Sequence, residues 1–120
     1  MPKTILIVED NPDAREMVSV VLAAEGFFVR TAEDGQEALE VVRDWLPDLI
    51  ITDIQMPNMD GIAMIKRMRE LFGAKPVPIV VMSAFSSRAT QEALDAGANE
   101  SASKPMQVES LIKIVKQLLN

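Results

Sequence analysis

The sequence predicts an α/β fold, a five-stranded parallel sheet flanked by five helices. Three observations carry this. Short apolar runs recur along the chain without a polar interruption, the pattern of strands buried on both faces. Between them lie stretches with helical periodicity, so strands and helices alternate from end to end. Charged and hydroxyl residues stand just past the apolar runs, at the edge where open parallel sheets bind ligands.

Each element follows in turn. Ile5 to Val8 is the first strand, and it stops at Glu9-Asp10-Asn11-Pro12. Asn11 suits an N-cap and Pro12 the first helical position. Ala14, Met17, Val18, Val21 and Leu22 then recur at i, i+3, i+4, i+7 and i+8, the inward face of a helix that Gly26 ends. Phe27 to Arg30 reads as the second strand and Asp34-Gly35 as a turn or cap. Gln36 to Trp45 is the second helix, with Ala38, Leu39 and Val42 inward. Trp45 reads as packing, far from the ligand edge, and Pro47 marks the next break.

The third strand is Asp48 to Thr52, with an exit loop through Pro57 to Asp60-Gly61. A third helix runs to about Phe72, with Ile62, Ile65, Met68 and Phe72 as core. Gly73 to Pro78 connects it to the fourth strand, Ile79 to Met82, which ends at Ser83. Ser87 to Ala96 is a helix with a thin apolar face of Ala89, Ala93 and Leu94, so weak anchoring and movement are expected of it. Gly97 caps it. Asn99 to Ser103 is a short polar strand at a sheet edge, followed by Lys104-Pro105. The last helix, Gln107 to Leu119, is predicted to bury Val108, Leu111, Ile112, Val115 and Leu119. Right-handed crossovers constrain the winding, but periodicity does not give the strand order.

Composition narrows the chemistry. A chain of 120 residues with 48% hydrophobic and 25% charged residues fits one domain, 1–120, with a sizeable core. There is no cysteine and no histidine. Thiolate catalysis, disulfides, histidine metal sites, Ser-His-Asp chemistry and a phosphohistidine carrier role are therefore excluded. The net charge of −6 argues against nucleic acid as a direct partner. Apolar runs fall far short of the roughly 20 residues that span a membrane. Met1-Pro2-Lys3 leads straight into a strand, which is no signal peptide, and a cytoplasmic location is the expectation.

The residues past the strands converge. Glu9 and Asp10 follow the first strand, Asp53 the third, Ser83 the fourth and Lys104 the fifth. In a parallel sheet these share one edge. Two carboxylates about 5 Å apart repel by roughly 3 kcal/mol at an effective dielectric of about 20. Either a proton or a divalent cation must then enter. Hard oxygen donors suit Mg²⁺, and a lysine and a hydroxyl beside it suit phosphoryl oxygens. Taken singly, Asp53 is equally a turn residue at a strand end, Glu9-Asp10 turn residues, and Lys104 a solvated charge. Their common edge favours a phosphoryl-transfer site in which an aspartate is the acceptor.

At these residues the chain resembles the receiver domain of two-component response regulators, the CheY-like fold. The matching pieces are V-E-D-N at Val8 to Asn11, D-I-Q-M-P-N-M-D-G at Asp53 to Gly61, M-S-A at Met82 to Ala84, G-A-N at Gly97 to Asn99 and S-K-P at Ser103 to Pro105. Each is weak alone, and all five in order are specific. The resemblance implies strand order 2-1-3-4-5. It implies that Asp53 accepts a phosphoryl group from a phosphohistidine on a sensor histidine kinase or histidine phosphotransfer protein. Glu9, Asp10, Asp53 and the backbone carbonyl of Gln55 would bind Mg²⁺, and Ser83 and Lys104 would hold the phosphoryl oxygens. The Lys104–Pro105 bond would be cis, and Ala84 would leave the phosphoryl group access.

The chain also departs from the family. Where receivers usually carry a Tyr or Phe on the fifth strand, this sequence has Ser101, and it has no tyrosine at all. A serine cannot fill and empty a pocket as a ring does, so the signal must leave by another route. Phe85, two residues past Ser83, is either a ring half-buried on the fourth helix or, with Gln55, a shield against water. Met106, Ile114 and Ser101 lie off the predicted buried stripes. They form a candidate surface for an output protein on the face made by helix four, strand five and helix five.

Three functional classes remain. The first is a phosphoacceptor switch, assisting its own phosphorylation but not an enzyme on an external substrate, and acting as a monomer or a phosphorylation-linked dimer. The second is a phosphorylation-independent pseudo-receiver interaction module, to which Ser101 lends support. The third is a Mg²⁺-dependent phosphohydrolase, which would need a second Asp where Gln55 stands. No G-x-G-x-x-G or G-x-x-x-x-G-K motif supports nucleotide binding.

Overall fold

Ile5, Leu6, Ile7 and Val8 are fully buried, because β1 (Thr4–Val8) has a strand on either side and helices on both faces. In the computed structural model, residues 2–56, 58–72, 77–83, 87–103 and 108–119 are described, at 87 and 103 by backbone only. The other strands are β2 (Phe28–Ala32), β3 (Leu49–Asp53), β4 (Ile79–Ser83) and β5 (Glu100–Ser103). They form one sheet in the order β2-β1-β3-β4-β5, parallel at every pairing. The helices are α1 (Pro12–Ala24), α2 (Gly35–Asp44), α3 (Gly61–Phe72), α4 (Ser87–Ala96) and α5 (Val108–Leu119).

Strand alternation divides the core in two. Ile5, Ile7, Leu49, Ile51, Val80 and Met82 meet Val18 and Leu22 of α1 and Leu111 and Val115 of α5. Leu6, Val8, Ile50, Ile79 and Val81 meet α2, α3 and the buried Ala93 of α4. Asn11 caps α1 by accepting from the Ala14 N–H at 3.0 Å. Asp34 caps α2 by accepting from Glu37 at 2.8 Å. Gly97, at φ +128°, follows α4 in a backbone conformation that side chains resist.

Boundaries differ from the sequence reading where apolar content does not mark them. The edge strand β2 begins at Phe28 and continues to Ala32 because Thr31 and Ala32 pair with Ile7 and Val8. Asp53 and Ser83 belong to their strands, and the predicted helix start at Gln107 lies outside the described residues.

Several burial expectations need correction. Met17 is 48% exposed and Val108 38% exposed, so neither contributes to the core as predicted. The fully buried residues of the α1 stripe are Val18 and Leu22, with Ala14 and Val21 partly buried, and Val108 stands at the first position of α5. Ile114 is not off the packed face: it is partly buried against the α1/α5 core. Met64, unpredicted, is fully buried, while Ile62 and Phe72 are only partly so. In α4, Ala89 and Leu94 are partly buried, which leaves Ala93 as its one fully buried side chain among those described.

Candidate functional site

The β1–β3 register places the site. Ile5 faces Leu49 and Val8 faces Thr52, so one further step sets Glu9 opposite Asp53. Glu9 continues the alternation of Ile5 and Ile7, and Asp53 that of Leu49 and Ile51, so both carboxylates lie on the α1/α5 side of the sheet. Carboxylate oxygens of Glu9, Asp10 and Asp53 lie within 4.8 Å of one another. Asp10 is exposed and Asp53 partly buried. Glu9 is only 1% exposed, which is costly for a carboxylate without compensation.

The backbone around these groups is tied down. The Asn11 N–H donates to Glu9 Oε1 at 3.2 Å, and the Glu9 N–H donates to the Ala32 carbonyl at 3.1 Å. The Ile54 N–H donates to Asp53 Oδ1 at 2.8 Å, which limits rotation of that carboxylate. The buried Thr52 hydroxyl donates to the Asp53 carbonyl at 2.8 Å. Gly61 packs against the same carbonyl so closely that a Cβ there would collide with it and with Ile54 Cα. The Gly61 N–H donates to the Ile54 carbonyl at 2.7 Å, closing the connection that leaves β3.

Ser83 ends β4, one residue beyond the Asp53–Met82 pair, and pairs with Ser103. It therefore stands on the strand next to Asp53 at the same edge. Gln55 is exposed in the connection after β3. Ser101 is partly buried in β5 and pairs with Val81. Lys104, Pro105 and its peptide bond, Met106, Ala84 and Phe85 lie outside the described residues. The structure thus brings Glu9, Asp10 and Asp53 together, with Ser83 on the neighbouring strand.

Two residues, Arg15 and Asn58, make contacts that were not anticipated. Arg15 donates from Nη1 to the Glu9 carbonyl at 2.9 Å and reaches Glu33 at 3.8 Å. Its place at i+6 from Glu9, one turn into α1, was a usable signal. Asn58 donates from Nδ2 to Asp34 Oδ2 at 2.8 Å. The Asp34 carboxyl titrates below its ordinary value, first because of the Glu37 N–H and second because of Asn58. A contact across 24 residues of sequence has no signature in a single chain.

The donor set fits a small divalent cation. Three hard oxygen donors within 4.8 Å repel by about 3 kcal/mol per pair at an effective dielectric of about 20, and a cation among them reverses that sign.

A family model described as response regulator receiver domain matches residues 5–116, and this chain belongs to that family. It is 32% identical to the polar-differentiation response regulator DivK of Brucella anthropi, across 99% of this chain and 98% of DivK. It is 35% identical to the response regulator MprA of Mycolicibacterium vanbaalenii across 99% of this chain, but spans only 51% of that protein. Among solved structures, the chemotaxis protein CheY4 of Vibrio cholerae superposes with a TM-score of 0.93 at 34% identity, covering 99% of this chain and 100% of CheY4. The fold is CheY-like, and the family is that of two-component signal transduction. Among the described residues no helix is long and apolar enough to cross a membrane.

Proposed function

We propose that this receiver domain, spanning 1–120, is a phosphoacceptor switch in which Asp53 takes a phosphoryl group from a phosphohistidine. The observation that carries the reading is the clustering of Glu9, Asp10 and Asp53 at the carboxyl edge of β1 and β3. An Asp53 carboxylate oxygen forms the new P–O bond as the donor N–P bond breaks, and the imidazole leaves with the electron pair. Glu9 and Asp10, with Asp53 and the Gln55 carbonyl, would hold Mg²⁺. Bound there, Mg²⁺ supplies charge neutralisation for the acceptor and the phosphoryl oxygens.

The chain's own residues do the positioning. Ile54 orients the Asp53 carboxylate, and the Thr52 hydroxyl and Gly61 fix the Asp53 backbone. Ser83 and Lys104 receive the phosphoryl oxygens. The donor is a sensor histidine kinase or a histidine phosphotransfer protein, and modification alters affinity for an output protein on the α4–β5–α5 face. The setting is cytoplasmic. A second reading, a phosphorylation-independent interaction module, is favoured by Ser101, which is too small to act as a moving ring.

Intact mass after incubation with a small-molecule phosphodonor separates the two. The switch predicts one phosphoryl group on wild type, lost without Mg²⁺ and absent from Asp53→Asn. An unmodified, folded wild type supports the interaction module.

A further inference from the structure

We propose that Asp34 is a positioning residue for the acceptor site: through Asn58 it holds the β3–α3 connection against the start of α2, and so sets the backbone beside Asp53. This rests on the functional reading above and adds a residue that reading does not use.

Asp34 commits its two oxygens to different partners. Oδ1 accepts from the Glu37 N–H and caps α2, and Oδ2 accepts from Asn58 Nδ2, each at 2.8 Å. The cap needs only the first. The second bond joins α2 to the connection 54–60. Asn58 sits at φ +68°, the one non-glycine residue at positive φ among those described, a turn conformation that asparagine adopts readily. A second contact lies beside the first. A Cβ on Gly35 would stand 2.8 Å from the Met59 carbonyl oxygen, so the first turn of α2 and the connection touch at two successive residues.

The connection therefore has two supports. Its base is fixed at Asp53, Ile54 and Gly61, and its far side at Asp34 and Gly35. Gln55 follows Ile54, is exposed, and lies three residues before Asn58 in sequence, so on this proposal its place follows from both supports. The Asp34–Asn58 bond is itself exposed, and exposed polar contacts contribute little to global stability. Its loss should be felt at the site rather than in folding.

Two variants isolate the bond. Asp34→Ser keeps an oxygen for the cap and removes the one facing Asn58. Asn58→Gly keeps the positive φ and removes the donor. Each single variant, the double variant and wild type are compared in melting temperature, in Mg²⁺ affinity by amide NMR titration, and in the rate of phosphoryl incorporation at limiting Mg²⁺. Each single variant is expected to weaken Mg²⁺ binding and slow incorporation by about three- to tenfold, with the melting temperature nearly unchanged. The double variant should be no worse than either single one. Wild-type affinity and rate in the single variants, or effects that multiply in the double, would overturn the inference. A wild type that takes no phosphoryl group overturns the functional reading instead, and the four Mg²⁺ affinities then decide the positioning role alone.

Discussion

Asp10 shows how one residue of the acidic cluster can burden the fold. It is exposed, yet its carboxylate lies within 4.8 Å of those of Glu9 and Asp53. Three like charges so close favour the unfolded chain, where they separate, and any ligand that binds only the folded state restores stability by mass action. Asp10→Asn should therefore melt higher than wild type in chelator, and the rise in melting temperature on adding Mg²⁺ should shrink. A variant that melts lower in chelator would mean that Asp10 stabilises the fold by more than its repulsion costs. Glu9 and Asp53 were legible as candidate site residues because they follow apolar runs. That Glu9 is almost fully buried was not, because a local pattern does not say what packs over a residue just past a strand end.

At the scale of elements, α4 has a thin core face, and a cation anchors the backbone just past its end. Ala93 is its one fully buried side chain among those described. Arg69 of α3 compensates. Its guanidinium donates to the Gly97 carbonyl from Nη2 at 2.6 Å and from Nε at 3.1 Å, to the Val77 carbonyl at 2.7 Å, and to Asn99 Oδ1 at 2.9 Å. Asn99 Oδ1 in turn accepts from the Ile79 N–H at 2.9 Å. Burial lowers the Arg69 pKa from its ordinary value, but the group keeps its proton. Arg69 thus pins the carboxyl end of α4 to the starts of β4 and β5. Hydrogen bonds to a charged group contribute about 1.5–3 kcal/mol, so Arg69→Gln should cost about 2 kcal/mol in urea denaturation. Amide exchange should accelerate in α4 and β5 before β1 and β3. Uniform acceleration across the sheet would contradict the pinning. The thin face of α4 was readable from Ala89, Ala93 and Leu94. Arg69 was not, because an arginine in the last turn of a helix reads as a solvated charge until the chain folds back on it. The same limit explains Met17 and Val108: helical spacing gives a stripe, and the neighbouring layer decides how much of it is covered.

The whole molecule has a polarity that follows from its parallel sheet. Every strand delivers its carboxyl end to the edge that carries Glu9, Asp10 and Asp53, and Trp45 lies at the other, closing α2 before β3 begins. There its ring sits 6.3 Å from that of Phe28, with the Arg30 guanidinium 4.9 Å above it. Trp45 emission should therefore report unfolding and stay constant through a Mg²⁺ titration, and a shift on adding Mg²⁺ would mean that the two edges communicate. Alternation of strands and helices was enough to predict the parallel sheet. The strand order came from resemblance alone, because no local pattern says which strands become neighbours. The most direct test of the central claim is reductive trapping with borohydride after treatment with phosphodonor and Mg²⁺, followed by peptide sequencing. An acyl phosphate on Asp53 predicts homoserine at position 53 and nowhere else, and none without Mg²⁺. Homoserine at position 10, or an aspartate unchanged at 53 in protein that carries phosphate, would contradict the account.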